Sequence, residues 1–158
     1  MARLTDWDEL NVEACVLWWC AIRKAVLDAE LDVRAGLGRL AADRRAYWEA
    51  RINEAESQPP RAFERGNGFV VTALQAAWAA IVQTPVPEDD PSQHLADALA
   101  AAVRIGQDTD TVACIAGQLL GARWGASAGP GEWRRVLHGY PGIGGDDLVE
   151  VGRKALRA

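Results

Sequence analysis

The sequence contains few of the side chains that proteins use to bind zinc. Only two of its 158 residues are histidine and three are cysteine. The cysteines Cys15, Cys20 and Cys114 lie among apolar residues and show no CxxC or Cys/His spacing, so a zinc site is not expected. We expect reduced, buried thiols, as is usual in a reducing compartment. His94 and His138 have no partner suggesting catalysis and are expected at exposed or capping positions.

Long apolar runs and clusters of basic residues are also lacking. The longest uninterrupted apolar run, Ala14 to Ile22, is too short to span a bilayer, and no secretory leader pattern opens the sequence. The 17 basic residues are scattered and are outnumbered by 22 acidic ones, which gives a net charge of −5. Binding to a phosphate backbone needs a basic face. We therefore expect a soluble, cytoplasmic protein that binds neither nucleic acid nor membranes.

No segment alternates apolar and polar residues as a half-buried strand would, and no internal repeat is present. Apolar residues instead recur every three or four positions, as they do on a helix. About half of the residues are apolar, and the length suits one hydrophobic core. The sequence therefore predicts an all-α fold, a compact multi-helix bundle forming a single domain over residues 1–158.

Capping residues, prolines and glycines divide the chain into predicted helices. Asp6 or Asp8 is expected to cap the first helix, and Asn67 the third, which is apolar on nearly all sides and therefore central. The predicted helices cover residues 7–30, 32–57, 68–82, 91–106, 112–125, 133–137 and 146–156.

The predicted fifth helix has one face without bulky side chains. Ala113, Gly117 and Gly121 are four positions apart and share a face. Because glycine has no Cβ, this spacing predicts a close approach of a neighbouring backbone. Trp124, at the end of the helix, is expected to anchor it in the core.

The segment GQDTDT, Gly106 to Thr111, places two carboxylates and two hydroxyls between two predicted helices. Residues i and i+2 of a helix point about 200° apart. Asp108 and Asp110 can therefore share a ligand only at a helix entrance, with Asp110 at or near the N-cap and Asp108 in the preceding loop. Together with Thr111 they would offer the hard oxygens that suit Mg²⁺, Mn²⁺ or Ca²⁺. The alternative is that these residues only cap the helix, which is worth ~1 kcal/mol.

Three stretches of the sequence resemble the C-terminal half of the ADP-ribosylglycohydrolase family, which includes the dinitrogenase-reductase-activating glycohydrolases. They are NGFVVTALQAAWAAI, ALAAAVRIGQDTDTVACIAGQLLGARWGASA and GEWRRVLHGYPG. The most specific part is G-x-D-T-D-T-V-A-x-I-A-G followed by G-A-x-W-G. The stretches ACVLWWCAIRKAV and GLGRLAADRRAYW are similar to bacterial members, so the resemblance extends over nearly the whole chain from about Glu13.

The resemblance implies an all-α hydrolase with two Mg²⁺ or Mn²⁺ ions in a complete site. Such an enzyme removes ADP-ribose from a modified side chain or another acceptor, so the implied partner is an ADP-ribosylated protein or small molecule. By motif match, Asp108, Asp110 and Thr111 are implied as metal ligands. Phe69 matches a position where relatives can carry an aromatic residue that stacks on adenine; the alternative is a core aromatic.

The sequence also departs from the family pattern. The remaining metal ligands of the family come from a glutamate after a glycine-rich opening segment and from a T-D-D-T motif, and neither appears here; LTDWDEL, residues 4–10, does not match them. We therefore expect a chain truncated at its N-terminus, with an incomplete site that binds a cation weakly. The hypotheses are a hydrolase that is incomplete in this chain alone, and a non-catalytic helical fragment or partner-binding remnant. Apolar faces left uncovered would favour a homo-oligomer.

Overall fold

The computed structural model describes residues 8–155, which are predominantly helical. The α-helices are α1 (Glu9–Asp28), α2 (Ala42–Ser57), α3 (Val70–Val82), α4 (His94–Val103), α5 (Thr109–Trp124), α6 (Gly131–Val136) and α7 (Gly145–Ala155). Short 3₁₀ helices cover Val33–Arg39, Pro60–Phe63 and Pro91–Gln93. Two-residue strands, β1 (His138–Gly139) and β2 (Ile143–Gly144), pair antiparallel between α6 and α7. The predicted all-α class is confirmed.

Carboxylate caps define where the first two elements begin. The Asp8 side chain accepts a hydrogen bond of 2.8 Å from the amide of Leu10 at the start of α1; the other predicted cap, Asp6, lies outside the described residues. Asp32 accepts one of 2.9 Å from the amide of Arg34 and so caps a 3₁₀ helix. The helical region predicted from residue 32 to 57 is interrupted, because the chain becomes extended at Leu40 before α2 begins.

Helix α3 is central, as predicted. Ten of its 13 residues are buried, and half of those are alanine. It contacts α1, α2, α4 and α5, and its small side chains let these helices pack close to its axis. It begins at Val70 with Phe69 at the N-cap, so the prediction of Asn67 as the cap is wrong.

Helices α4 and α5 are consecutive in the chain, pack against each other and contact α3. His94, the first residue of α4, is only 1% exposed, which corrects the expectation of an exposed or capping histidine. Its Nδ1 accepts a hydrogen bond from the indole of Trp124, the last residue of α5, so Trp124 anchors that helix as predicted.

The predicted close approach along the small face of α5 is wrong. A Cβ added to Gly117 would be 3.6 Å from the nearest atom, an ordinary contact, and one added to Gly121 would have no neighbour within 4 Å. The helix buries another face, formed by Val112, Ala116, Leu119 and Leu120. The close approach occurs instead at Gly36, where an added Cβ would lie 2.8 Å from the Cα of Leu17 in α1.

The predictions about the cysteines are confirmed in part. All three cysteines are free, as predicted, but Cys20 alone is buried. The expectation of burial is wrong for Cys15 and Cys114, because these lie on the exposed sides of α1 and α5. Among residues 8–155, no helix combines the length and apolar character needed to cross a membrane.

Candidate functional site

The segment between α4 and α5 turns sharply because two consecutive residues have positive φ. Gly106 has φ 97° and Gln107 has φ 59°. Glycine adopts this region freely, whereas a glutamine there is strained. The amide of Thr109 then donates to the carbonyl of Gln107 at 2.9 Å. With φ −82° and ψ 61°, Asp108 is thus the central residue of an inverse γ-turn.

Asp108 occupies the N-cap of α5 but does not act as a cap. Its side chain accepts no hydrogen bond from the amides of that helix, in contrast to Asp8 and Asp32 at the starts of their elements. The capping alternative for Asp108 is therefore wrong, whereas Asp110 is the second residue of α5 and so lies near the N-cap, as expected. Oδ2 of Asp108 lies beside Gly68, where an added Cβ would be only 3.3 Å away. The carboxylate is thus directed toward the loop that precedes α3.

Asp110 and Thr111 lie in the first turn of α5, and both are exposed. Helix α5 starts at Thr109, three residues earlier than predicted, because the γ-turn at Asp108 leads directly into it. Asp108 and Thr111 are three positions apart, the spacing of neighbours on a helix surface. The three predicted ligands are therefore at a helix entrance, with one at the N-cap and two just inside the helix.

A cavity of about 520 Å³ opens beside this entrance. Residues from the starts of α1, α3 and α5 line it: Asp8, Asn11, Gly68, Phe69, Val70, Ala73, Thr111 and Ile115. Phe69 is 50% exposed, so the interpretation of its ring as a core aromatic is wrong. The structure therefore brings Phe69 and Thr111, which are far apart in sequence, to one cavity.

Two residues near the site were missed by the sequence analysis. Asp8, considered only as a cap, also lines the cavity. Asn67 is 1% exposed; its Nδ2 donates to the carbonyl of Gly106 at 2.9 Å, and its Oδ1 accepts from the amide of Asp108 at 3.1 Å. An asparagine before a helix gives the same sequence signal whether it caps that helix or bridges to a distant loop.

The side chains at this entrance have the donor chemistry of part of a ligand set for a hard divalent cation. Two carboxylates and a hydroxyl are oxygen donors of the type that Mg²⁺ and Mn²⁺ prefer, and the missing Cβ of Gly68 leaves room beside one carboxylate. Within the described part of the chain, no group of three or more His, Cys, Asp or Glu residues could hold a metal ion. Asp108, Asp110 and Thr111 would therefore leave the other ligand positions of such an ion to water or to further oxygens.

Comparisons with known proteins agree with the sequence motifs. ADP-ribosylarginine hydrolase Tri1 of Pseudomonas putida (strain GB-1) is 39% identical over 83 residues, which are 52% of this chain and 20% of that protein. The Tri1 hydrolase of Serratia proteamaculans (strain 568) is 34% identical over 83 residues, with the same coverage. The matched segment thus spans about a fifth of these relatives. No solved structure matches significantly. The ADP-ribosylglycohydrolase family profile matches residues 1–158, and the chain therefore belongs to that family.

Proposed function

We propose that this chain carries part of a metal-dependent site that hydrolyses the bond between ADP-ribose and a modified arginine side chain. Membership of the family supports the hydrolase class. The two relatives are named ADP-ribosylarginine hydrolases, which supports arginine as the acceptor. The observation that carries the proposal is the carboxylate of Asp108, which does not cap α5 and lies beside Gly68, a residue that lines the cavity.

In this proposal Asp108, Asp110 and Thr111 hold Mg²⁺ or Mn²⁺, with two ions in the complete site. A bound divalent ion would supply Lewis acidity and lower the pKa of water. The role of the three residues is to fix the cation at the entrance of α5, next to the cavity that Thr111 lines. Water or further oxygens complete the ligand set.

Phe69 is proposed to bind the adenine of the substrate. Its ring is half exposed at the start of α3 and lines the same cavity as Thr111. An exposed aromatic face next to a polar site is suited to stacking on a flat base. The cavity, about 520 Å³, falls in the range of roughly 300–1,000 Å³ that is typical of small-molecule sites.

A second candidate function is a non-catalytic helical fragment that binds a partner. It is favoured because, within residues 8–155, no three or more His, Cys, Asp or Glu residues are grouped so that they could hold a metal ion. Apolar side chains such as Trp19, Leu27 and Val103 are also more than half exposed. We propose that such surfaces support self-association of a single cytoplasmic domain. A monodisperse monomer in light scattering at high concentration would contradict self-association.

The two candidates differ in metal-dependent activity. The chain is incubated with Mn²⁺ or Mg²⁺ and an ADP-ribosylated arginine peptide, and release of ADP-ribose is followed. Catalysis by this chain alone predicts release that requires the metal and is lost in Asp110→Ala. Asp43→Ala is the matched control, because Asp43 is an exposed carboxylate in the first turn of α2.

Calorimetric titration with the same ions distinguishes the remaining outcomes. Metal binding that is lost in Asp110→Ala, without release of ADP-ribose, would support the non-catalytic fragment. The absence of both ADP-ribose release and metal binding would defeat the proposed metal site.

A further inference from the structure

We infer that Asn67 is a positioning residue that sets the place and orientation of Asp108 in the cation site. The inference rests on the proposed function. Asn67 is 1% exposed and lies outside the regular helices, so its amide must find partners within the protein. Its side chain bonds at both ends to the loop that carries Asp108: Nδ2 to the carbonyl of Gly106 at 2.9 Å and Oδ1 to the amide of Asp108 at 3.1 Å.

These two hydrogen bonds lie on either side of Gln107. Gln107 has φ 59°, a backbone conformation that residues other than glycine adopt at a cost in free energy. Asn67 holds the carbonyl before this residue and the amide after it, so it stabilises the strained conformation from both sides. Without the bridge, the loop could relax toward a more ordinary backbone, and the γ-turn centred on Asp108 would move with it.

The position of Asn67 in the chain couples this bridge to the carboxylate. Asn67 directly precedes Gly68, beside which Oδ2 of Asp108 lies. The backbone of Asp108 is thus held by one residue, and space for its side chain is left by the next. Because α5 donates no hydrogen bond to that side chain, the backbone position is the main feature that directs the carboxylate toward the loop before α3.

Another buried amide provides a control for loss of structure alone. Gln75 in α3 is 4% exposed, and its Nε2 donates to the carbonyl of Arg51 and to Oε2 of Glu54, each at 2.9 Å. It therefore joins α3 to α2 and touches neither Gly106 nor Asp108. Truncating Gln75 removes hydrogen bonds of the same kind without changing the loop before α5.

The test uses ¹⁵N NMR of the chain titrated with Mn²⁺, whose paramagnetic broadening detects weak binding without any activity. In the wild type we expect the amides of residues 108–112 to broaden first, and Asp108→Asn should abolish that effect. In Asn67→Ala, the Mn²⁺ concentration at which these amide signals lose half of their intensity should rise by about 10-fold to 100-fold. This is the usual effect of removing a residue that holds a metal ligand in place. Gln75→Ala should leave this concentration unchanged. Hydrogen exchange of the Asp108 amide should accelerate in Asn67→Ala only.

The outcomes separate this inference from the proposed function. Wild-type-like Mn²⁺ broadening in a folded Asn67→Ala would overturn the positioning role and leave the metal site intact. If Mn²⁺ binding is weakened equally in Asn67→Ala and Gln75→Ala, both residues have a purely structural role, and the positioning role of Asn67 is again overturned. A wild type without localised broadening would overturn the proposed cation site, and the inference with it. If Asn67→Ala does not fold, Asn67→Ser is measured in its place, since its short hydroxyl cannot reach both partners.

Discussion

The imidazole of His94 accepts a hydrogen bond of 3.1 Å at Nδ1 from the indole N–H of Trp124. An indole nitrogen can only donate, so Nδ1 carries no proton and the proton of the neutral ring is on Nε2. Nε2 lies 3.0 Å from the carbonyl of Ile81 and donates to it. One buried ring thus joins the start of α4 to the ends of α3 and α5.

Replacing this ring should destabilise the fold. In His94→Phe a ring of similar shape remains, but the Trp124 indole and the Ile81 carbonyl lose their partner in a buried position. We expect the free energy of unfolding to fall by about 1–3 kcal/mol, the usual cost of leaving buried polar groups unsatisfied. Urea denaturation measures the change. His138→Phe is the control, because His138 is exposed and should change stability by no more than about 0.5 kcal/mol. Equal stabilities of the two variants would contradict the role of His94.

The contact between Gly36 and α1 predicts a selective effect of adding one methyl group. In Gly36→Ala the new Cβ would lie 2.8 Å from the Cα of Leu17, a backbone atom that cannot move independently of its helix. We expect a loss of about 1–3 kcal/mol from overpacking. Gly38→Ala, in the same 3₁₀ helix, meets nothing within 4 Å. Thermal unfolding should therefore show a lower Tm for Gly36→Ala than for Gly38→Ala. The reverse order would show that the 3₁₀ helix can shift away from α1.

The room beside Asp108 predicts a change in metal binding without a change in fold. A Cβ in Gly68→Ala would approach Oδ2 of Asp108 to 3.3 Å and displace the carboxylate by a few tenths of an ångström. We expect Mn²⁺ binding, followed by calorimetry, to weaken by about tenfold, the lower end of the effect of an altered outer shell. Gly129→Ala is a control, since its Cβ would meet nothing within 4 Å. Unchanged Mn²⁺ affinity in Gly68→Ala would mean that the Asp108 carboxylate does not need this room.

The ion pair between Glu13 and Arg44 predicts how stability depends on pH. Arg44 donates two hydrogen bonds, of 2.7 and 2.6 Å, to the two oxygens of Glu13, and the Trp48 indole donates a third of 2.8 Å. These bonds lower the pKa of Glu13 below its ordinary value of 4.5, and hydrogen bonding to Arg44 is the largest cause. A carboxylate with a lowered pKa in the folded state contributes stability above its unfolded pKa, and this contribution is lost as the pH falls through the folded value.

Glu13→Gln should therefore reduce stability at neutral pH and make little difference in acid, where Glu13 is protonated in the wild type as well. Urea denaturation over a pH series measures the difference between the two proteins. Glu88→Gln serves as a control, because Glu88 is exposed in the loop before α4. A difference between wild type and Glu13→Gln that stays constant into the acid range would contradict the role of the ion pair.

The sequence predicted the features that depend on local pattern. The apolar periodicity of α1 and α3 placed both helices to within about two residues, because the face that a helix buries is determined by its own spacing. The division of residues 32–57 into a 3₁₀ helix and α2 was missed. It accompanies the contact of Gly36 with Leu17, a residue of another helix, and no local pattern contains that partner.

The same distinction applies to the candidate site. Residue type alone singled out Asp108, Asp110 and Thr111 as oxygen donors, and their assignment as ligands stays a prediction. The bridge made by Asn67 could not be predicted, because its partners lie about 40 positions away in the sequence. The burial of His94 was missed for the same reason, since its partners are at positions 81 and 124.

The hydrogen bond between Asn67 and the amide of Asp108 closes a loop of 41 residues. Closing a loop costs chain entropy that is recovered only when the intervening helices pack. The turn that presents Asp108 consequently cannot be formed by the GQDTDT segment alone, as an isolated peptide or during early stages of folding. The geometry proposed to bind a cation would be acquired only after α3 and α5 have docked, so a partly folded chain would lack it even where its helices are already formed.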